Sequence, residues 1–284
     1  MLSQSTRYYL PEPSHWPAFG SSALLLMAIG AVLWMNGVAP GPWVVLAGMA
    51  VLVYMMFGWF GTVIRESEGG SFNKQVDVSF RWGMSWFIFS EVMFFAVFFG
   101  ALFYMRVLSV PWLGSGDTME QLWPGFSAPN WPISGPGIEE TFTPMGAWGI
   151  PAVNTLILVS SGVTVTWAHW GLIKNNRAQL IWGLAATVVL GMLFLGLQVY
   201  EYVEAYHELN LTLNMGAYGA TFYMLTGFHG FHVTIGTIML IVILARSIKG
   251  HFSADHHFAF EGVSWYWHFV DVVWLLLFVL VYWL

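Results

Sequence analysis

Seven stretches of this chain stay apolar for about 20 residues or more, the length needed to cross roughly 30 Å of hydrocarbon. They fall at about 17–36, 41–64, 80–106, 149–172, 179–203, 217–246 and 260–283. A bilayer interior offers no partner to an open backbone, so each stretch must close its hydrogen bonds within itself as a helix. The chain is therefore predicted to be an all-α membrane protein with seven transmembrane helices and a single integral membrane domain over residues 1–284. Composition points the same way. Residues are 57% hydrophobic and 8% charged, whereas about a quarter of a soluble domain is charged. With no Cys, disulfides, thiolate metal sites and a cysteine nucleophile are excluded. A formal charge of −6 argues against a nucleic-acid partner.

The short connection Asn36–Pro42 makes the first two spans (17–64) a helical hairpin, leaving spans three to seven in residues 80–284. Span three is longer than a bilayer requires, so it is expected to tilt or to run on past the membrane. Arg7, Arg65, Lys74, Arg81, Lys174, Arg177, Arg246 and Lys249 all fall in the N-terminal tail, in alternate connections or at their edges; Arg106 falls on the opposite side. By the positive-inside rule the N-terminus is cytoplasmic, or in the matrix, and the C-terminus lies outside. The connection 107–148 is then external. Pro111, Pro124, Pro129, Pro132, Pro136 and Pro144 make it an irregular ordered loop or a docking surface, and its acids Asp117, Glu120, Glu139 and Glu140 have no base among them. The N-terminus has neither a signal-peptide nor a transit-helix pattern, so no cleaved leader is expected.

Ionisable groups within such spans face protein or do chemistry. Glu91 stands near the middle of span three with no base within a helical turn. A carboxyl isolated in hydrocarbon costs less neutral than ionised, and it reads either as a proton relay or as an acid hydrogen-bonded to another helix. Glu201, Glu204, His207 and Glu208 close span five. Glu204 and His207 have the spacing of a di-iron motif, but no second copy exists, and a solvated helix end is the simpler expectation. His229 and His232, three apart on span six, could ligate a metal or bond to a neighbouring helix.

The last constellation is a stripe. His257, Glu261, Ser264, His268 and Asp271 recur at helical spacing and share one face at the start of span seven, beside Asp255 and His256. His268 and Asp271 are compatible with an imidazole held in one tautomer by a carboxylate. Ligation, proton transfer and interhelical pairing all remain open for this stripe. No nucleophile elbow, phosphate loop, zinc-protease helix or dinucleotide fingerprint is present. Basic residues at the inner span ends suit anionic lipid head groups, although topology alone accounts for most of them.

Taken together, VIRES (63–67), FRWGMSWFIFSEVMFF (80–95), SGVTVTWAH (161–169), NNRAQ (175–179), YGATFYMLTGFHGFHVTIGT (218–237) and DHHFAFEGVSWYWHFVDVVWL (255–275) resemble subunit III of haem–copper cytochrome c oxidases. The likeness runs in order from span two to the C-terminus. It implies a two-helix hairpin and a five-helix bundle separated by a V-shaped lipid cleft, with no catalytic residue, metal or redox cofactor in this chain. Haem and copper would belong to partner subunits: subunit I, subunit II and small subunits. The complex would carry electrons from cytochrome c to oxygen and pump protons, while this chain stabilises subunit I, binds phospholipid and supports proton uptake. Glu91 would match the family's carbodiimide-reactive carboxylate, and Arg246 and Lys249 its lipid-phosphate positions. Trp59, Arg65, Glu66 and Arg81 are further lipid-side candidates. His229, His232, His257, Glu261, His268 and Asp271 become a structural polar seam, with the stripe of span seven paired to neighbours such as the histidines of span six. The long outer loop and the lack of a transit pattern suggest a bacterial inner membrane rather than a mitochondrial one. A proton-coupled transporter using Glu91 and Asp271 is the alternative, and a metalloenzyme built on the histidines is a third reading.

Overall fold

The computed structural model describes residues 9–126, 131–138 and 140–284. Arg7, Pro129 and Glu139, used above, lie outside the described residues, as does the side chain of Asp117. Among the described residues, seven helices are long and apolar enough to cross a membrane: Trp16–Met35, Gly41–Glu68, Lys74–Leu113, Ile150–Ile173, Arg177–His207, Gly216–Lys249 and Phe258–Trp283. They are called span one to span seven below. No strand occurs among the described residues.

The chain divides into two compact units, Met1–Phe80 and Arg81–Leu284. In the first, spans one and two form an antiparallel hairpin whose backbones nearly touch. A Cβ on Gly30 would stand 2.5 Å from the backbone nitrogen of Val45, and one on Gly48 would stand 2.8 Å from that of Met27. Hydrogen in place of a side chain is what permits this approach, as in membrane helix pairs generally. Asn73 caps span three, its Oδ1 accepting from the backbone N–H of Val76 at 3.0 Å.

Span three exceeds the expected 80–106. Its α-helix Lys74–Phe103 widens into a π-helical segment, Tyr104–Ser109, and resumes over Val110–Leu113. Pro111 lies just beyond the widened turn. It has no N–H to donate, and its ring crowds the preceding turn, which accounts for the local change of pitch.

In the second unit, spans four to seven form a closed ring of neighbours: four against five, five against six, six against seven, and seven back against four. Span seven is the most enclosed, with 56% of its apolar window buried against 11% for span three. Its Trp267, fully buried, sits at the centre of the ring. The indole Nε1–H donates to Ser161 Oγ on span four at 2.8 Å. Its ring fills the space left by Gly191 on span five and Gly236 on span six, where an added Cβ would lie 2.9 Å from it. Span three joins this unit through large side chains. Phe94 meets Phe228 edge-on at 5.0 Å, and Phe95 meets His232 at 4.9 Å.

The long connection is ordered where described, as its prolines suggested. It is pinned over the span five–six turn by Ala217 N–H to Ser134 O at 2.7 Å and Thr143 N–H to Leu209 O at 2.9 Å. Phe142 stacks on Tyr218 with centroids 5.3 Å apart.

Candidate functional site

Three groups of ionisable side chains in the second unit each join span seven or span six to another helix. Glu91 and His232 form the first. Glu91 Oε2 lies 3.0 Å from His232 Nε2, bringing together residues 141 apart in sequence. The other ring nitrogen, Nδ1, lies 2.7 Å from the carbonyl oxygen of Phe228. A carbonyl can only accept, so Nδ1 carries a hydrogen and the neutral ring turns the Nε2 lone pair toward the carboxyl. One proton must therefore occupy the line between Glu91 and His232. The spacing of His229 and His232 suggested a shared direction, but the two diverge. His229, fully buried, bonds through Nε2 to the carbonyl of Val270 at 3.1 Å. Its ring packs between Phe194 and Trp274. The two imidazoles therefore do not converge on one ion.

The stripe of span seven makes up the second group, and here one expectation is corrected. Its interhelical partners come from span four and, at Arg81, from span three, and neither histidine of span six pairs with a stripe side chain. His268 Nε2 lies 3.2 Å from Thr166 Oγ1, and its Nδ1 is 3.7 Å from Asp271 Oδ2. Asp271 presses on span four where Gly162 leaves room, since a Cβ there would sit 2.5 Å from Oδ2. Further toward the start of span seven, Glu261 Oε1 is 3.2 Å from His257 Nε2 and 3.8 Å from His169 Nε2, the latter again on span four. Glu261 Oε2 takes a charge-assisted bond from Arg81 at the start of span three, and the guanidinium also covers the Phe258 ring at 5.6 Å. Period alone placed the stripe on one face but could not say which helix that face meets.

The third group was not foreseen. Glu201 was expected at a solvated helix end, yet it is fully buried. Span five continues as helix to His207, which draws Glu201 inside it. Tyr282 donates to Glu201 Oε1 at 2.6 Å. A signal was available in the sequence: Gly191, Phe194, Gln198, Glu201 and Ala205 all lie on the buried face of span five at helical spacing. Glu208 and His207 are exposed, and Glu204 is partly so.

The lipid-side candidates are scattered. Arg246 is buried with its guanidinium 4.6 Å over the Phe252 ring, whereas Lys249 is exposed at the end of the same helix. In the first unit, Trp59 is about half exposed, Arg65 donates to Thr62 Oγ1 at 3.0 Å, and Glu66 is partly buried near Tyr9.

Comparison with known proteins bears on the whole chain. Residues 6–284 match the family model described as cytochrome c oxidase subunit III. The chain belongs to the cytochrome c oxidase subunit III family. Relatives named cytochrome c oxidase subunit 3 extend along its full length. The Marchantia polymorpha protein is 42% identical over 283 residues, covering 99% of this chain and 98% of the relative. That of Pongo pygmaeus is 41% identical over 284 residues, covering 100% and 99%. That of Arabidopsis thaliana is 41% identical over 282 residues, covering 99% and 97%. Family membership and the seven-helix architecture thus agree with the resemblance carried by the motifs.

Proposed function

We propose that this chain is the non-catalytic subunit III of a proton-pumping cytochrome c oxidase, in which haem and copper reside in partner subunits I and II and oxygen is reduced to water. The observation that carries this reading is the end-to-end likeness to proteins named cytochrome c oxidase subunit 3. The chain stabilises the catalytic subunit during turnover, binds phospholipid and supports proton uptake. It lies in an energy-transducing inner membrane, bacterial by the length of its outer loop, with its basic connections on the cytoplasmic or matrix side. Arg246, Lys249, Arg65 and Trp59 supply cationic and interfacial groups suited to phospholipid. The polar pairs speak against the transporter reading, because Glu91 and Asp271 are held by different neighbours, His232 and His268.

Purifying the oxidase with and without this chain tests the reading. Initial cytochrome c oxidation is expected to persist without it, while activity decays sooner during turnover, proton uptake slows and co-purifying phospholipid falls. Equal lifetime and equal uptake in both preparations would overturn the assignment.

A further inference from the structure

The trio His169, His257 and Glu261, where span four ends and span seven begins, has a feature that a structural seam does not require. His257 Nδ1 lies 3.0 Å from the carbonyl oxygen of Ser253, so Nδ1 carries the hydrogen and a neutral ring aims the Nε2 lone pair outward. That lone pair faces Glu261 Oε1 at 3.2 Å. Both atoms are acceptors, and nothing attractive joins them unless a positive centre lies between. His169 adds another nitrogen. Its Nε2 is buried, makes no hydrogen bond among the described residues, and stands 3.8 Å from the same carboxylate oxygen.

The geometry points to a divalent transition-metal site, of the kind zinc occupies, held by His169 Nε2, His257 Nε2 and Glu261 Oε1. One ligand atom from each residue falls within 4.8 Å of the others. A tetrahedral zinc with bonds of about 2.0–2.1 Å sets its ligands roughly 3.3 Å apart, close to the two separations to Oε1. Two imidazoles and one carboxylate oxygen form a donor set that zinc accepts, with water completing the coordination. The surroundings supply what such sites use to orient ligands. The Ser253 carbonyl fixes the His257 tautomer, and Arg81 holds the other oxygen of Glu261 so that Oε1 alone turns inward. The Arg81 charge also opposes the incoming ion, which makes this an exchangeable site rather than a permanent one. A bound ion would tie span four to span seven at this end of the bundle. The inference rests on these contacts and not on the role proposed above.

The test is zinc content of the intact oxidase after equilibration with zinc chloride and removal of free metal. Wild type is compared with His257→Ala and His169→Gln. The expected result is one additional zinc per complex in wild type, absent from both variants. Zinc-edge X-ray absorption of the wild type alone should show two imidazoles and a carboxylate oxygen, which keeps the test decisive if a variant does not assemble. No additional zinc in wild type, equal zinc in an assembled variant, or a coordination shell without two imidazoles would overturn the proposal. In the first case a proton, not a metal, separates the facing lone pairs.

Discussion

Replacing Glu91 by Gln and by Leu separates two ways in which the Glu91–His232 contact can hold together. The His232 side chain is 9% exposed and that of Glu91 is 21% exposed, so water does little to replace a lost partner. In the neutral form, the acid donates to the imidazole, and two opposite charges need not be desolvated together. Glutamine then substitutes well, because its amide N–H also donates to Nε2. The change is expected to stay within about 1 kcal/mol, the net worth of an ordinary neutral hydrogen bond. Leucine removes the donor and leaves a buried imidazole nitrogen unsatisfied, at about 1–3 kcal/mol. At the middle of that range, about 2 kcal/mol, the folding equilibrium shifts roughly 30-fold. Unfolding in mixed micelles by stepwise addition of SDS, followed by near-ultraviolet circular dichroism, would resolve the two. An infrared carbonyl band of a protonated carboxyl, lost in Glu91→Gln, is the independent check. If Gln destabilises as much as Leu and the band is absent, the pair is an imidazolium–carboxylate salt bridge and the reasoning fails. Steady oxygen consumption is expected to survive Glu91→Gln, whereas loss of pumping in an assembled enzyme would make Glu91 an obligatory proton carrier.

Three other perturbations follow from the packing. Trp267→Ala should cost about 3–5 kcal/mol, the usual range for emptying a core aromatic site, in the same micellar unfolding; a loss below about 1 kcal/mol would show that the ring is not central. Tyr282→Phe strips the donor from Glu201 Oε1 and should destabilise by about 1–3 kcal/mol. Adding Glu201→Leu should recover much of that loss, because neither member of the pair is then left buried without the other, and a double variant worse than either single one would contradict this account. Arg246→Ala and Lys249→Ala should each lower co-purifying anionic phospholipid, measured by mass spectrometry. With Arg246 buried over Phe252, the exposed Lys249 is expected to show the larger effect on exchangeable lipid, and unchanged lipid in both would remove the assignment.

Span positions were legible in the sequence because hydrocarbon thickness leaves so little choice of length and conformation. Span one was expected at 17–36 and runs Trp16–Met35. Span three ran past its expected ends, since helix can persist outside the bilayer and Pro111 widens it without breaking it. Faces were legible too, but neighbours were not. The period of 3.6 fixes which residues of span seven point together, while the helix they point at depends on ring closure among spans far apart in sequence. That is why His169 and Thr166, both within a segment already singled out, were not joined to the stripe, and why His232 was not matched to Glu91. Glu201 was misjudged for a related reason. A charged residue near the end of an apolar run reads as solvent-facing unless the buried face of the whole helix is traced through it.

Trp267 occupies a space bounded by Ser161, Gly191 and Gly236, and it is delivered by span seven, which is synthesised after the three spans that bound it. Until the ribosome has released that segment, spans four, five and six enter the bilayer with a slot among them that none can fill. A chain truncated before span seven is not a slightly smaller bundle but one with a hole through its centre, lined by a hydroxyl and two bare stretches of backbone. Arrival of span seven and completion of the core are thus the same event, and a cell's membrane proteases could tell a filled bundle from an unfilled one by that slot.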